Sequence, residues 1–296
     1  MSGAPFACVD IGSNTTRLLV ASCDGGRLRE LMTQRVYTRL GKAIRRTGSV
    51  PREAIENETD VVATQVRHAR DLGAREIRIV ATAAIRQAPN RDELVRSIAD
   101  TTGLEPSVLS DAEEARLAFL GASRSLASPP GGHLGVLDVG GGSTELAAGT
   151  ADGGASWFAS FRIGSGFLAD SYFRSDPPSP HELQAAAQHA KGCFEGLDAP
   201  AVERAVAVGG SATALRRVAG GELSHEALER TVRILSTAPR REVAERFELD
   251  AERVRLLPAG VLIIDAVSDA VGWQLKIGGG GLREGCILEM AVAARD

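Results

Sequence analysis

The sequence is poor in lysine, in aromatic residues and in long apolar runs, and each shortage excludes a class of protein. Only three of its 34 basic residues are lysine, and with 38 acidic residues the formal net charge is −4. A charge of this sign excludes a basic nucleic-acid-binding protein. Aromatic residues make up 4% of the chain, which argues against an aromatic-rich β-sandwich. The strongly apolar run Val261 to Ile264 ends at Asp265, far short of the ~18 residues that a membrane span needs.

Cysteine and histidine are also sparse, and they lack the spacing of metal or redox sites. The four cysteines contain no CxxC pair and the five histidines no HExxH motif, so neither a zinc knuckle nor a disulfide framework is indicated. The GxSxG elbow of serine hydrolases and the lysine of a Walker loop are missing as well. The N-terminus has no signal-peptide pattern. We therefore expect a cytoplasmic protein that binds neither membrane nor nucleic acid.

The chain length and the order of elements predict two domains of α/β class. With 296 residues, the length is typical of about two domains. Hairpin-like strands come first, and alternating strands and helices follow them, which favours an α/β fold. The Ser-, Pro- and Gly-rich segment from 125 to 132 is the best linker candidate.

Beyond this linker the pattern begins again, which indicates an internal duplication. The segment DIGSNTTRLLV (10–20) aligns with DVGGGSTELAA (138–148): each has an aspartate, a glycine turn with small hydroxyl residues, and an apolar strand. A single turn of this kind is usually an ordinary β-turn, but two of them, each preceded by an aspartate, suggest a shared task.

Turns rich in glycine and hydroxyl groups can direct backbone N–H groups at a phosphate. A third glycine loop begins at Gly209 and leads into a helix, as phosphate loops often do. An arginine, Arg17, interrupts an apolar strand and must face solvent or an anion. The candidate phosphate-binding residues are Ser13, Asn14, Arg17, Gly140, Gly141, Gly142, Ser143, Gly209, Gly210 and Ser211.

Carboxylates flank the glycine turns and could hold a divalent cation. Asp138 and Glu145 lie at either end of the second turn, and Asp10 precedes the first. Carboxylate oxygens suit Mg²⁺, which often bridges protein and phosphate. Alternatively, Asp138 only accepts hydrogen bonds from the turn and Glu145 is a surface residue of a strand.

The segment that begins at Ser110 predicts different roles for two neighbouring glutamates, Glu113 and Glu114. Ser110 and Glu113 have the spacing of a capping box, so Glu113 has a structural role. Glu114 lies in the same helical turn without that role, and it could activate a water molecule or simply be a solvated acid. Arg86 follows a buried strand, where α/β proteins commonly bind ligands.

Taken together, these motifs resemble the exopolyphosphatase and guanosine-pentaphosphate phosphohydrolase (Ppx/GppA) family of the actin-like superfamily. The matching stretches include VDIGSNTTRLLVA (9–21), VATAAIRQAPN (80–90), LSDAEEARLAFLGA (109–122), LDVGGGSTELAAG (137–149) and GLREG (281–285). The resemblance implies two actin-like, ribonuclease H-like domains flanking a central cleft. They would span residues 1–124 and 125–282, with a final helix over 283–296 packing back on the first domain.

By the same resemblance, Glu114 and Arg86 are catalytic, and Asp138, Glu145 and Asp10 bind Mg²⁺ or Mn²⁺. The reaction implied is the hydrolysis of a terminal phosphoanhydride of inorganic polyphosphate or, alternatively, of guanosine-5'-triphosphate,3'-diphosphate (pppGpp). A sugar-kinase-like phosphotransferase and a non-catalytic polyphosphate sensor are further alternatives, and a homodimer is expected. The sequence departs from the family pattern at Ala83, where the family often has serine, at Asp111, where it has glycine, and at Lys42 and Ala43, where it commonly has an acid and a glycine.

Overall fold

The computed structural model describes residues 4–221 and 223–294, which form a mixed α/β protein with two five-stranded sheets. Its strands are β1 (Phe6–Ile11), β2 (Thr16–Asp24), β3 (Arg27–Val36), β4 (Glu76–Ala81), β5 (Ser107–Val108), β6 (Leu134–Val139), β7 (Thr144–Thr150), β8 (Gly154–Phe161), β9 (Arg204–Val208) and β10 (Leu275–Ile277). Its helices are α1 (Leu40–Thr47), α2 (Arg52–Asp71), α3 (Ala83–Arg86), α4 (Arg91–Thr102), α5 (Asp111–Ser125), α6 (Ser165–Tyr172), α7 (Pro180–Cys193), α8 (Gly209–Ala219), α9 (His225–Thr237), α10 (Arg240–Phe247), α11 (Ala251–Val271) and α12 (Leu282–Ala293).

The chain divides into two units. One consists of Met1–Ser125 together with Gly280–Asp296, and the other is Leu126–Gly279. The domain limits expected from the sequence, 124/125 and 282/283, lie within three residues of these divisions. None of the helices in the described part of the chain is long and apolar enough to cross a membrane.

In the first unit the strand order is β3-β2-β1-β4-β5. Strand β1 is antiparallel to β2 and parallel to β4. Because side chains alternate along a strand, Ala7 and Val9 pack into the core formed with α2 and α4, whereas Phe6 and Cys8 pack against α5 and α12. Helices therefore cover both faces of this sheet, which explains why β1 reads as a nearly continuous apolar run.

The C-terminal helix α12 packs on α5 of the first unit through close glycine contacts. A Cβ atom added to Gly121 of α5 would overlap the carbonyl oxygen of Gly281, and one added to Gly285 of α12 would overlap that of Leu117. Glycine at these positions allows the two helix backbones to approach each other closely.

The second unit repeats the strand order of the first as β8-β7-β6-β9-β10, again with an antiparallel hairpin pair followed by two parallel strands. The duplication inferred from the aligned segments is thus present in the topology of the two sheets. The long helix α11, for which the sequence analysis made no prediction, lies at the centre of this unit, with twelve buried residues among its 21.

Candidate active site

In the first unit, three loops that carry predicted site residues follow the carboxyl ends of neighbouring parallel strands. The amide of Thr82, after β4, donates to the carbonyl oxygen of Ile11 at 3.2 Å, and the amide of Leu109, after β5, donates to that of Ala81 at 3.0 Å. The loops that carry Ser13, Arg86 and Glu114 therefore begin at one edge of the sheet, the position at which α/β folds bind ligands.

The first glycine turn is held by backbone hydrogen bonds. Gly12 donates to Thr15 at 3.1 Å and closes the turn, while Gly41 donates to the carbonyl oxygen of Ser13 at 2.7 Å and Arg39 to that of Asn14 at 3.1 Å. The segment Arg39-Leu40-Gly41 thus fixes the turn from outside, with Arg39 in the left-handed conformation. Ser13 and Asn14, two of the predicted phosphate-binding residues, lie in this turn.

Asp10 and Arg17 are directly opposite each other in the register of β1 and β2. Burial raises the pKa of the Asp10 carboxyl, and the positive charges of Arg283 and Arg17 partly offset that rise. The predicted metal ligand Asp10 therefore lies within the sheet, next to basic side chains.

Arg86 and Glu114 form an ion pair. Arg86 ends the short helix α3, and its Nη1 donates to a carboxylate oxygen of Glu114 at 3.0 Å and to the carbonyl oxygen of Leu109 at 2.6 Å. Glu114 is only 7% exposed although it lies in the first turn of a helix. This contact brings the two predicted catalytic residues together, and it excludes the alternative in which Glu114 is a solvated surface acid.

The neighbouring Glu113 is a capping residue, as the spacing predicted. The backbone amide of Ser110 donates to a Glu113 carboxylate oxygen at 2.9 Å, and the amide of Glu113 donates to the Ser110 hydroxyl at 3.2 Å. These bonds lower the pKa of Glu113, and the bond from the Ser110 amide contributes most to this change. The capping box is confirmed, and the two adjacent glutamates have different roles.

In the second unit, the loop from Gly140 to Ser143 is held against the start of α6. The amide of Gly140 donates to Ser143 at 3.0 Å, the amide of Ser165 donates to the carbonyl oxygen of Gly140 at 2.9 Å, and the amide of Phe167 donates to that of Gly141 at 2.9 Å. These bonds use the carbonyl oxygens of Gly140, Gly141 and Ser143 and give the loop a defined shape. A defined shape is one requirement of a preorganised anion site.

The carboxylate of Asp138 lies against the third glycine loop. A Cβ atom on Gly209, which has a φ of 81°, would overlap Oδ1 of Asp138. Asp138 and Glu145 are directly opposite each other in β6 and β7. Glu145 is 3% exposed and accepts a hydrogen bond from the Ser160 hydroxyl at 3.2 Å. The alternative in which Glu145 is a surface residue is wrong.

This pair of carboxylates fits a divalent cation. Two like charges directly opposite each other on a sheet destabilise it, and a buried carboxylate needs hydrogen bonds or a cation. Oxygen donors of this kind are those that Mg²⁺ and Mn²⁺ accept.

The sequence analysis missed Arg253, which lies beside the third glycine loop. A Cβ atom on Gly210 would lie 2.7 Å from Nη1 of Arg253. The side chain is buried, since the residue is 7% exposed. The predicted ligand Ser211 is 1% exposed and packs near Gly260 of α11. From the sequence alone, an arginine in the first turn of a helix would be expected to face solvent. Only the packing in the structure shows that Arg253 lies next to the third glycine loop.

Glu58 of α2 is a second residue that the sequence analysis missed. It is fully buried and accepts a hydrogen bond from the hydroxyl of Thr16, the residue that begins β2 after the first glycine turn. Burial raises the pKa of Glu58 to about 7, although hydrogen bonds from Thr16 and Thr38 oppose the rise.

Comparisons with known proteins identify the family of the chain. The profile of the Ppx/GppA phosphatase family matches residues 19–294. A guanosine-5'-triphosphate,3'-diphosphate pyrophosphatase of Photobacterium profundum is 27% identical over 299 residues, covering 96% of this chain and 59% of that protein. An uncharacterized protein of Streptomyces coelicolor is 38% identical over 180 residues, which cover 60% of this chain and 53% of that protein. The chain thus spans between half and two thirds of these relatives' lengths.

A solved structure of similar length has the same fold. The crystal structure of the Aquifex aeolicus member of the Ppx/GppA family superimposes with a TM-score of 0.82 and 26% sequence identity, covering 99% of both chains. The expected α/β fold is confirmed, with one five-stranded sheet in each of the two units. The family match covers nearly the whole chain, and the chain therefore belongs to the Ppx/GppA phosphatase family.

Proposed function

We propose that the protein is an exopolyphosphatase, which hydrolyses the terminal phosphoanhydride of inorganic polyphosphate and releases orthophosphate. The observation that carries this proposal is the contact between Glu114 and Arg86 at the carboxyl edge of the first sheet. A buried carboxylate held by a guanidinium provides a proton acceptor and an anion-binding group side by side.

In the proposed reaction a carboxylate oxygen of Glu114 accepts a proton from water while the water oxygen attacks the terminal phosphorus. The bond from this phosphorus to the bridging oxygen breaks, and the shortened chain leaves with that oxygen. Arg86 binds the terminal phosphoryl oxygens and stabilises the charge that develops on them. Catalysis by positioning and charge stabilisation is typical of phosphoryl transfer.

We propose that Asp138 and Glu145 of the second unit hold Mg²⁺, or Mn²⁺ in its place, and that Asp10 of the first unit is a further carboxylate available to such a cation. When bound, such a cation neutralises charge on phosphate oxygens. The turns at Ser13–Asn14, Gly140–Ser143 and Gly209–Ser211, together with Arg17, are proposed to bind further phosphates through backbone N–H groups and side chains.

The pair of adjacent glutamates permits a matched test. With Mg²⁺ and polyphosphate of defined length, Glu114→Gln should lower kcat by about 10²- to 10⁴-fold, the range that general-base catalysis contributes. Glu113→Gln should retain most activity, because glutamine can still complete a capping box. Near-normal turnover by Glu114→Gln would remove this residue as the base.

The second candidate substrate is pppGpp, and the name of the Photobacterium profundum relative favours it. The wild-type values of kcat/KM for polyphosphate and for pppGpp, measured under the same conditions, decide between the two. Release of phosphate from neither substrate, in the presence of Mg²⁺ or Mn²⁺, would refute the hydrolase proposal as a whole.

A further inference from the structure

Three acceptors near the start of α5 hold the guanidinium of Arg86. Its Nη1 donates to the carbonyl oxygen of Leu109 and to the carboxylate of Glu114, at 2.6 Å and 3.0 Å. Its Nη2 donates to Oδ1 of Asp111. Asp111 is the residue at which the sequence departs from the expected glycine, and its carboxylate forms an ion pair with Arg86.

The two carboxylates differ in their exposure to solvent. The side chain of Glu114 is 10% exposed, whereas that of Asp111 is 54% exposed and that of Arg86 is 16% exposed. Asp111 is therefore the partner of Arg86 that solvent reaches most easily. A dissolved anion can exchange with such a partner more readily than with one that is buried.

The donor geometry of arginine makes Asp111 a competitor of phosphate. A guanidinium presents five N–H groups in a planar fork, and oxyanions bind it best through two of them at once. The two N–H groups of Nη1 are directed at Leu109 and Glu114. A phosphate that binds in the bidentate mode must then use Nη2, which Asp111 already contacts.

We infer that Asp111 sets the phosphate affinity of the site by competing with phosphate for Nη2 of Arg86. A phosphoryl oxygen must exchange with the Asp111 carboxylate at one N–H group of Nη2, and at the other it binds beside that negative charge. This inference rests on the proposed role of Arg86 as a phosphate ligand. This competition weakens the binding of both the substrate end and the orthophosphate product. It also returns Arg86 to an internal partner as orthophosphate departs.

A purely structural role would change the kinetics in the opposite direction. If Asp111 only positioned Arg86, its loss would leave the guanidinium misplaced, raise KM and lower kcat. If it competes with phosphate, its loss lowers both the KM for polyphosphate and the dissociation constant of orthophosphate. The sign of the change therefore distinguishes the two roles.

The test compares Asp111→Asn with Asp92→Asn. Asp92 is an exposed aspartate of the same unit that contacts Arg91 rather than Arg86, so its substitution changes the net charge equally. We expect Asp111→Asn to lower KM and the calorimetric dissociation constant of orthophosphate about two- to fivefold, the range of an ion pair with one exposed partner. Asp92→Asn should change both values by much less.

A double-mutant cycle then asks whether the effect passes through Arg86. In an Arg86→Gln background, Asp111→Asn should no longer strengthen the binding of orthophosphate. Unchanged or weaker binding in the single variant Asp111→Asn would overturn the inference, and so would an equal effect of Asp92→Asn or persistence of the effect without Arg86. Failure of the proposed function has a separate signature, since the wild type would then release no phosphate from polyphosphate while the orthophosphate measurements still test Asp111.

Discussion

Glu58 should make the stability of the protein depend on pH in the neutral range. Its carboxyl is buried behind the first glycine turn, and one of its oxygens, Oε2, has no hydrogen-bond partner among the described residues. Burial penalises the charged form, so the folded protein favours the neutral carboxyl. Glu58→Gln replaces the titrating group with a neutral one of nearly the same shape.

The size of the effect follows from the change in pKa between the unfolded and the folded protein. The pKa rises from an ordinary value of 4.5 to about 7. Since each pH unit corresponds to about 1.4 kcal/mol, the penalty for ionising Glu58 approaches roughly 3 kcal/mol. The contribution of the neutral Glu58 carboxyl to the free energy of unfolding is fully present below pH 4.5, and it is lost as the pH rises through 7.

The assay is chemical denaturation of the wild type and of Glu58→Gln from pH 4.5 to pH 8.5. The free energy of unfolding of the variant, relative to the wild type, should increase by roughly 3 kcal/mol across this range and then level off. Glu53→Gln, an exposed change on the same helix, should show no such trend. A constant difference between wild type and Glu58→Gln at all pH values would refute the reasoning.

The remaining predictions concern three glycines that differ in the space available for a side chain. Gly121→Ala should destabilise the protein by more than about 2 kcal/mol in thermal or chemical denaturation, because its Cβ overlaps the backbone beneath α12. Gly192→Ala, in a helix with open space around the new methyl group, should instead stabilise it by about 0.4–1 kcal/mol. Gly209→Ala forces a Cβ into Oδ1 of Asp138 at a φ of 81°, so kcat should fall at least about tenfold while circular dichroism stays native-like. Full activity of Gly209→Ala would contradict the proposed role of Asp138.

Local patterns predicted the parts of the fold that repeat or are capped. The aligned turns at 10–20 and 138–148 predicted a duplicated strand–turn–strand segment, because strand, turn and apolar alternation are all local signals, and this segment is the hairpin β1–β2 in one sheet and β6–β7 in the other. The spacing from Ser110 to Glu113 anticipated the cap in the same way. Helix α11 escaped prediction because it is buried on nearly all sides and so lacks a polar stripe, and because Pro258 lies within it.

The site could be predicted only where a residue's partner is near in sequence. The roles of Glu113 and Glu114 could be told apart because the capping partner of Glu113 is only three residues away. The contact of Arg86 with Glu114, in contrast, joins residues 28 positions apart. Which acceptors Arg86 meets depends on how β4 and β5 align, so the involvement of Asp111 could not be read from spacing. The same holds for Arg253, whose neighbour Gly210 lies on another helix.

The two copies of the duplicated hairpin have diverged in charge, and this divergence suggests which copy binds which ion. In the first copy Asp10 is opposite Arg17, so an arginine offsets the carboxylate within the sheet. In the second copy Asp138 is opposite Glu145, and two carboxylates in this position repel each other unless a cation or hydrogen bonds offset their charge. On the proposed metal-binding role of Asp138 and Glu145, we therefore expect a divalent cation to stabilise the second hairpin more than the first. Conversely, Arg17 gives the first hairpin a cationic side chain for an anion, whereas in the second hairpin the phosphate binding that we propose relies on the backbone N–H groups of the turn from Gly140 to Ser143. Under the proposed function, the two copies of the hairpin would therefore differ in the ion that each binds: an anion beside Arg17 in the first, and a cation beside Asp138 and Glu145 in the second.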